Sequence, residues 1–172
     1  WVEIPLDVQA FKIKDIKNLK NFKIKEKKQT KINLSRLIQE LNRSKKPLLI
    51  IGNGLKQSKT EREFKKFVKK YKIPFVTSRF ALDLFPYSMK ENMGLLGIKG
   101  TLFGEKLIKE CDLVISLGCR LAPTLTFGSV SHFTKNKKIF SVNNDKNELN
   151  NPLINIKQKI CTDLDTFFKS VN

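Results

Sequence analysis

Imidazoles, acids and thiols are all scarce in this 172-residue sequence, which holds one histidine, three cysteines and 16 Asp and Glu against 34 Lys and Arg. Cys111, Cys119 and Cys161 form no Cys-x-x-Cys pair, so a disulfide framework or cysteine zinc site is not expected. Reduced thiols in the cytoplasm are the expectation. With His132 alone, a metal centre built on imidazoles is excluded. A Ser-His-Asp triad would have to use that residue, and no nucleophile elbow stands near it. No apolar run approaches the roughly 20 residues that span a bilayer, and no signal-peptide pattern opens the chain. No membrane partner is therefore expected. The chain opens on Trp1 rather than Met, as a piece cut from a longer polypeptide would.

What is abundant is positive charge and phenylalanine. The formal net charge is +18, a field that attracts polyanions nonspecifically. Lysine nevertheless outweighs arginine and is scattered over the polar face of every helix, and base readers favour arginine and grouped aromatics. The charge reads as solvated surface, without a nucleic-acid partner. Hydrophobic residues make up 40% of the chain and 13 are Phe, which fills a real core.

The order of elements is readable from periodicity. Residues 1–9, WVEIPLDVQ, alternate like a strand with Val2, Ile4 and Leu6 on one side. Residues 10–31 are lysine-rich with no helical period and read as a basic linker, so a domain begins near Ile32 and runs to 172. Leu34, Leu37, Ile38 and Leu41 fall at helical spacing, ended by Lys45-Lys46-Pro47. Leu48–Ile51 is an all-apolar strand of the kind buried on both faces. After Gly52-Asn53-Gly54, Thr60-x-x-Glu63 reads as a capping box for a helix carrying Phe64, Phe67, Val68 and Tyr71, and Ile73–Thr77 returns as a strand. A further helix is expected near Thr101–Glu110, with Leu102, Phe103, Leu107 and Ile108 as its apolar marks. Strands follow at Asp112–Gly118 and Lys138–Val142, and a short edge strand at Lys157–Ile160. Thr162-x-x-Asp165 is expected to cap a closing helix with Leu164, Phe167, Phe168 and Val171 inward. The alternation predicts an α/β fold: a doubly wound, mostly parallel, Rossmann-like sheet with helices on both faces.

In such sheets ligands sit beyond the carboxyl ends of the strands. Four loops leave strand ends with Gly or polar residues: Gly52-Asn53-Gly54, Thr77-Ser78-Arg79, Gly118-Cys119-Arg120 and Asn143-Asn144-Asp145. The dinucleotide fingerprint is incomplete. Gly-x-Gly-x-x-Gly would need glycine at Gln57, and Arg79 stands where an acid is expected at the end of the second strand. The Gly-x-Gly turn thus leaves two readings open, a nucleotide cradle or a tight turn. Gly94, Gly97, Gly100 and Gly104 likewise fit either a ligand-facing loop or close backbone passage beside the sheet. A sirtuin-like deacetylase would need a zinc-binding Cys-x-x-Cys pair, which is missing.

Taken in order, WVEIPLDVQ, KPLLIIGNG, YKIPFVTS, GLLGIKGT, CDLVISLGCRL and IFSVNNDKNELN resemble the central domain of thiamine-diphosphate-dependent enzymes, acetolactate synthase-like in flavour. The resemblance covers almost the whole chain. It implies that residues 1–9 are the end strand of a preceding pyrimidine-binding domain. It also implies that the chemistry lies elsewhere, with a cofactor-activating glutamate upstream and a Gly-Asp-Gly signature for Mg²⁺ and diphosphate downstream. The chain holds no Gly-Asp-Gly. The expectation is a noncatalytic domain that spaces the cofactor-binding domains of a homodimer or homotetramer acting on a 2-oxo acid such as pyruvate.

Some members of that family hold FAD or another adenine nucleotide in this domain. The matching positions are Gly54, Gly97, Lys99, Arg120, Asn143 and Asp163. Three departures argue against FAD here: Lys99 replaces His, Arg120-Leu-Ala-Pro-Thr124 replaces an Arg-Phe-Asp-Asp-Arg-like run, and Asn143 replaces Asp. The alternative is a stand-alone module binding FAD, ADP or NAD.

Overall fold

In the computed structural model, which describes residues 2–12 and 32–171, six strands form one parallel sheet in the order β3-β2-β1-β4-β5-β6. They are β1 (Pro47–Ile51), β2 (Phe75–Thr77), β3 (Asn92–Leu95), β4 (Leu113–Leu117), β5 (Lys138–Asn143) and β6 (Gln158–Cys161). The helices are α1 (Leu6–Gln9), α2 (Ser35–Arg43), α3 (Asn53–Ser58), α4 (Glu61–Tyr71), α5 (Leu102–Glu110), α6 (Val130–Thr134), α7 (Lys146–Leu149) and α8 (Leu164–Val171). A 3₁₀ turn, Arg79–Ala81, follows β2. The expected doubly wound sheet is present, and the strand order reverses between β1 and β4.

The period of two in the strands divides the core. Leu49, Ile51, Phe75, Leu113, Ile115, Leu117, Phe140 and Val142 face one side, against α2, α3, α4 and α8. Leu48, Ile50, Val76, Val114 and Ile139 face the other, against Ile108 of α5 and Phe133 of α6. Strands with helices on both faces are apolar along most of their length, which explains the unbroken run Leu48–Ile51. Phe64 of α4 anchors the first face, with ring centroids 5.1 Å from Phe75 and 5.0 Å from Phe85. At the amino ends of the strands Asp112 ties the turn before β1. Its carboxylate accepts from the amides of Lys45 at 2.8 Å and Lys46 at 3.2 Å and from the Ser44 hydroxyl.

Several expectations are corrected. Residues 2–9 do not form a strand here: Leu6–Gln9 is a helical turn, and Val2, Ile4, Leu6 and Val8 are exposed. A strand needs a neighbour for its amides and carbonyls, and among the described residues none pairs with this segment. Pro5 adds a fixed φ of −56° at the helix start, and the Gln9 amide bonds back to the Pro5 carbonyl at 3.0 Å. Of the expected linker 10–31, residues 13–31 lie outside the described residues. Thr60 makes no cap hydrogen bond to α4; its hydroxyl pairs at 2.8 Å with that of Ser58, the last residue of α3, a helix the sequence did not foresee and whose C-cap is Lys59. The cap of α8 is Asp163, not Thr162: its carboxylate accepts from the Thr166 amide at 2.7 Å. Within the glycine-rich segment Asn92–Leu95 forms the edge strand β3. The close-passage reading holds at Gly104, where a Cβ would lie 2.9 Å from the Leu95 carbonyl oxygen. The α5 stripe is only half inward, since Leu102 is 87% exposed and Phe103 54%.

Candidate functional site

All six strands point their carboxyl ends into one cleft of about 770 Å³. The turn after β1 brings Asn53 and Gly54 to its floor, and the 3₁₀ turn after β2 brings Arg79 and Phe80. The β3–α5 loop supplies Ile98 and Lys99, β4 supplies Gly118–Arg120, β5 supplies Asn143–Asp145, and the loop after β6 supplies Asp163. This is the crevice at the reversal of strand order, where open α/β sheets take ligands. It gathers five of the six residues expected from the sequence: Gly54, Lys99, Arg120, Asn143 and Asp163.

Gly97, the sixth, is not on the cleft wall. Its φ is +111°, and a Cβ there would lie 2.6 Å from the Thr124 carbonyl oxygen, so it packs the loop against the backbone of Thr124 and Leu125. The Ile98 amide completes that junction by donating to the Thr124 carbonyl at 2.9 Å.

The two strand-end glycine turns touch each other. A Cβ on Gly52 would lie 2.3 Å from the Gly118 carbonyl oxygen, and one on Gly54 2.8 Å from the Gly118 Cα. The Gly54 amide donates to the Gly118 carbonyl at 2.9 Å. Gly118 itself has a φ of +56°, in the left-handed region. The glycines are therefore required by backbone-on-backbone contact between the β1 and β4 ends.

The polar groups of the β5–β6 side are tied to local structure. The Asn143 side-chain carbonyl accepts from the Asp145 amide at 3.0 Å, and the Asp145 carboxylate caps α7 by accepting from the Asn147 amide at 2.8 Å. Burial pushes the Asp163 carboxyl up, but hydrogen bonds from the Thr166 amide and hydroxyl outweigh it, and the net shift is downward. Arg120 pairs with Glu148, Nε to Oε1 at 2.9 Å; the arginine side chain is 77% exposed and the glutamate 25%. On the β2–β3 side, among the described residues no hydrogen bond or ion pair engages the Arg79 or Lys99 side chain. Phe80 is 75% exposed and Ile98 63%, both on the cleft wall.

Cys119 also reaches the cleft, but burial pushes its thiol up to about 12, against a hydrogen bond with Ser78. It is a protonated core residue and not a nucleophile. Phe80 and Glu148 were not foreseen as site residues, whereas Cys119 lies in the strand-end loop Gly118-Cys119-Arg120 that the sequence singled out. The place of Phe80 next to the strand-end loop Thr77-Ser78-Arg79 was the available signal, whereas nothing local marks Glu148 as the partner of Arg120.

A family model described as thiamine pyrophosphate enzyme, central domain, matches residues 34–171. The acetolactate synthase large subunit of Lactococcus lactis subsp. lactis is 33% identical over 123 residues, 69% of this chain and 21% of that protein. The 3D-(3,5/4)-trihydroxycyclohexane-1,2-dione hydrolase 2 of Bacillus cereus is 30% identical over 104 residues, 60% of this chain and 16% of that protein. A solved structure of an enzyme assigned as thiamin diphosphate-dependent, isolated from Mycobacterium smegmatis, superposes with a TM-score of 0.66 at 16% identity, covering 80% of this chain and 26% of that one. The chain thus spans about a fifth of the length of the curated relatives it matches.

Proposed function

The chain belongs to the family of thiamine pyrophosphate enzyme central domains, and from that membership we propose that it is the noncatalytic middle part of an acetolactate synthase-like enzyme acting on a 2-oxo acid such as pyruvate. It spaces the two cofactor-binding domains and contributes contacts in a cytoplasmic dimer or tetramer. Residues 1–9 are the proposed end segment of the preceding domain, 10–31 the basic linker and 32–172 the central domain. Among the described residues no helix is long and apolar enough to cross a membrane.

The observation that carries this reading is the contact of Gly52 and Gly54 with Gly118. Backbone that a dinucleotide site would aim at a pyrophosphate joins the two halves of the sheet instead. Thiamine diphosphate supplies an electron sink for the parent's carbon–carbon chemistry. The residues of this chain do not fit that cofactor or its Mg²⁺. There is no Gly-Asp-Gly, and among the described residues no group of three His, Cys, Asp or Glu could hold a metal. No step of the chemistry belongs to them. The test is to incubate the 172-residue chain with thiamine diphosphate, Mg²⁺ and pyruvate. No product is expected, and turnover by the chain alone would overturn the reading.

The cleft favours a second reading, in which the domain also holds an adenine nucleotide, FAD, ADP or NAD. Its volume and its position at the strand-order reversal support this. The occupied Gly54 amide, Asn143 in place of an acid and the capping role of Asp163 weigh against a full dinucleotide. Titrating the three nucleotides against the melting midpoint separates the readings, because a ligand of the folded state raises it by mass action. No shift with any of them leaves the spacer role alone.

A further inference from the structure

Resting on the second reading of the cleft, we propose that its β2–β3 side takes a nucleotide carrying a phosphomonoester on its ribose. The base lies on Phe80 and the ribose phosphate meets Arg79 and Lys99. The cleft is divided by charge. Its β5–β6 wall carries Asp145, Glu148 and Asp163, and Arg120 on that side is already paired with Glu148. An anionic group entering there meets carboxylates.

The opposite wall carries Arg79 and Lys99 with no carboxylate among its lining residues and no partner among the described residues. Burial does not explain Phe80 either, since three quarters of its surface is open to the cleft and solvent. A ring left open beside a guanidinium, on a three-residue turn, is the arrangement that stacks a base and pairs a phosphate.

Position adds a second argument. Arg79 opens the turn two residues past the end of β2, the region where a dinucleotide sheet places an acid to accept from ribose hydroxyls. A guanidinium has no acceptor, so it cannot bind a free hydroxyl in that way. It can donate two N–H groups to a phosphate on the same sugar. The ribose phosphate, and not the 5′ diphosphate at the glycine turn, becomes the anchoring group.

The test uses isothermal titration of the chain with adenosine 2′,5′-bisphosphate, adenosine 3′,5′-bisphosphate and ADP at fixed ionic strength. At least one bisphosphate is expected to bind about tenfold more tightly than ADP, the effect of one added charge-assisted pair. Arg79→Gln should remove that advantage, while Arg62→Gln, the same charge change on the exposed face of α4, should leave it. Phe80→Ala should weaken all three nucleotides, and circular dichroism checks that each variant is folded. ADP binding as tightly as both bisphosphates sinks the inference and leaves the nucleotide reading standing. Equal losses in Arg79→Gln and Arg62→Gln mean bulk charge alone and also sink it. If none of the three binds, the inference falls, and the nucleotide reading falls with it when FAD and NAD also leave the melting midpoint unmoved.

Discussion

The Gly54 amide donates to the Gly118 carbonyl at 2.9 Å, joining the turn after β1 to the turn after β4 across the point where the strand order reverses. The approach leaves no room for side chains: a Cβ on Gly52 or Gly54 would overlap Gly118 backbone that cannot swing aside. Gly52→Ala is therefore expected to destabilise the domain by about 2–3 kcal/mol, the usual cost of forced overpacking. Urea denaturation monitored by circular dichroism measures it. A loss below about 0.5 kcal/mol, the range of ordinary surface changes, would show that the two turns can part without cost.

Asp112 holds the entry to β1 from the first residue before β4. Burial raises its carboxyl pKa, but hydrogen bonds from the Ser44 hydroxyl and the Lys45 and Lys46 amides outweigh this and lower it. A group whose folded pKa is depressed stabilises the fold above its unfolded pKa, near 3.9 for Asp, and loses that contribution as pH falls through the folded value. Asp112→Ala should cost about 1–3 kcal/mol at neutral pH, from the unsatisfied donors it leaves. The gap between variant and parent should close on acidification. Denaturant midpoints measured from neutral pH down to about pH 3 test this, and a pH-independent gap would refute the role given to the carboxylate.

Phe64 is fully buried among Phe75, Phe85 and Phe168. Phe64→Ala should cost about 3–5 kcal/mol, combining lost transfer energy with a cavity that rigid neighbouring rings fill poorly. Phe64→Leu should retain much of that stability. Equal losses in the two variants would point to a specific ring interaction outweighing volume.

Thiol reactivity should separate the three cysteines. Cys111 and Cys119 are buried, and burial pushes both thiols up to about 12, so thiolate is negligible at neutral pH. Cys161 is half-buried at the end of β6. A disulfide reagent is expected to modify Cys161 first in the folded chain, and the other two only on unfolding. Rapid modification of Cys119 without denaturant would contradict its placement under the cleft.

Much of the fold was legible because its signals are local. Val68 and Tyr71 stand at helical spacing from Phe64 and Phe67, and the apolar stretch Leu48–Ile51 needs covering on both faces wherever it sits in a sheet. The edge strand β3 was hidden because Asn92-Met93-Gly94-Leu95 has little strand propensity and pairs only because β2 offers it an edge. The N-terminal segment erred the other way, since its alternation is strand-like but none of the described residues pairs with it.

The sequence alone determined β1, β2, β4, β5 and β6 with α2, α4, α5 and α8, their alternation, and hence a parallel sheet with its cleft at the carboxyl ends. Those properties follow from side-chain period and backbone propensity within a few residues. Tertiary structure decided that Gly54 meets Gly118, that Arg120 pairs with Glu148 and that Arg79 pairs with none of the described residues. These contacts join groups 28 or more residues apart or depend on every neighbour at once, and no local pattern carries the distance between atoms that only packing brings together.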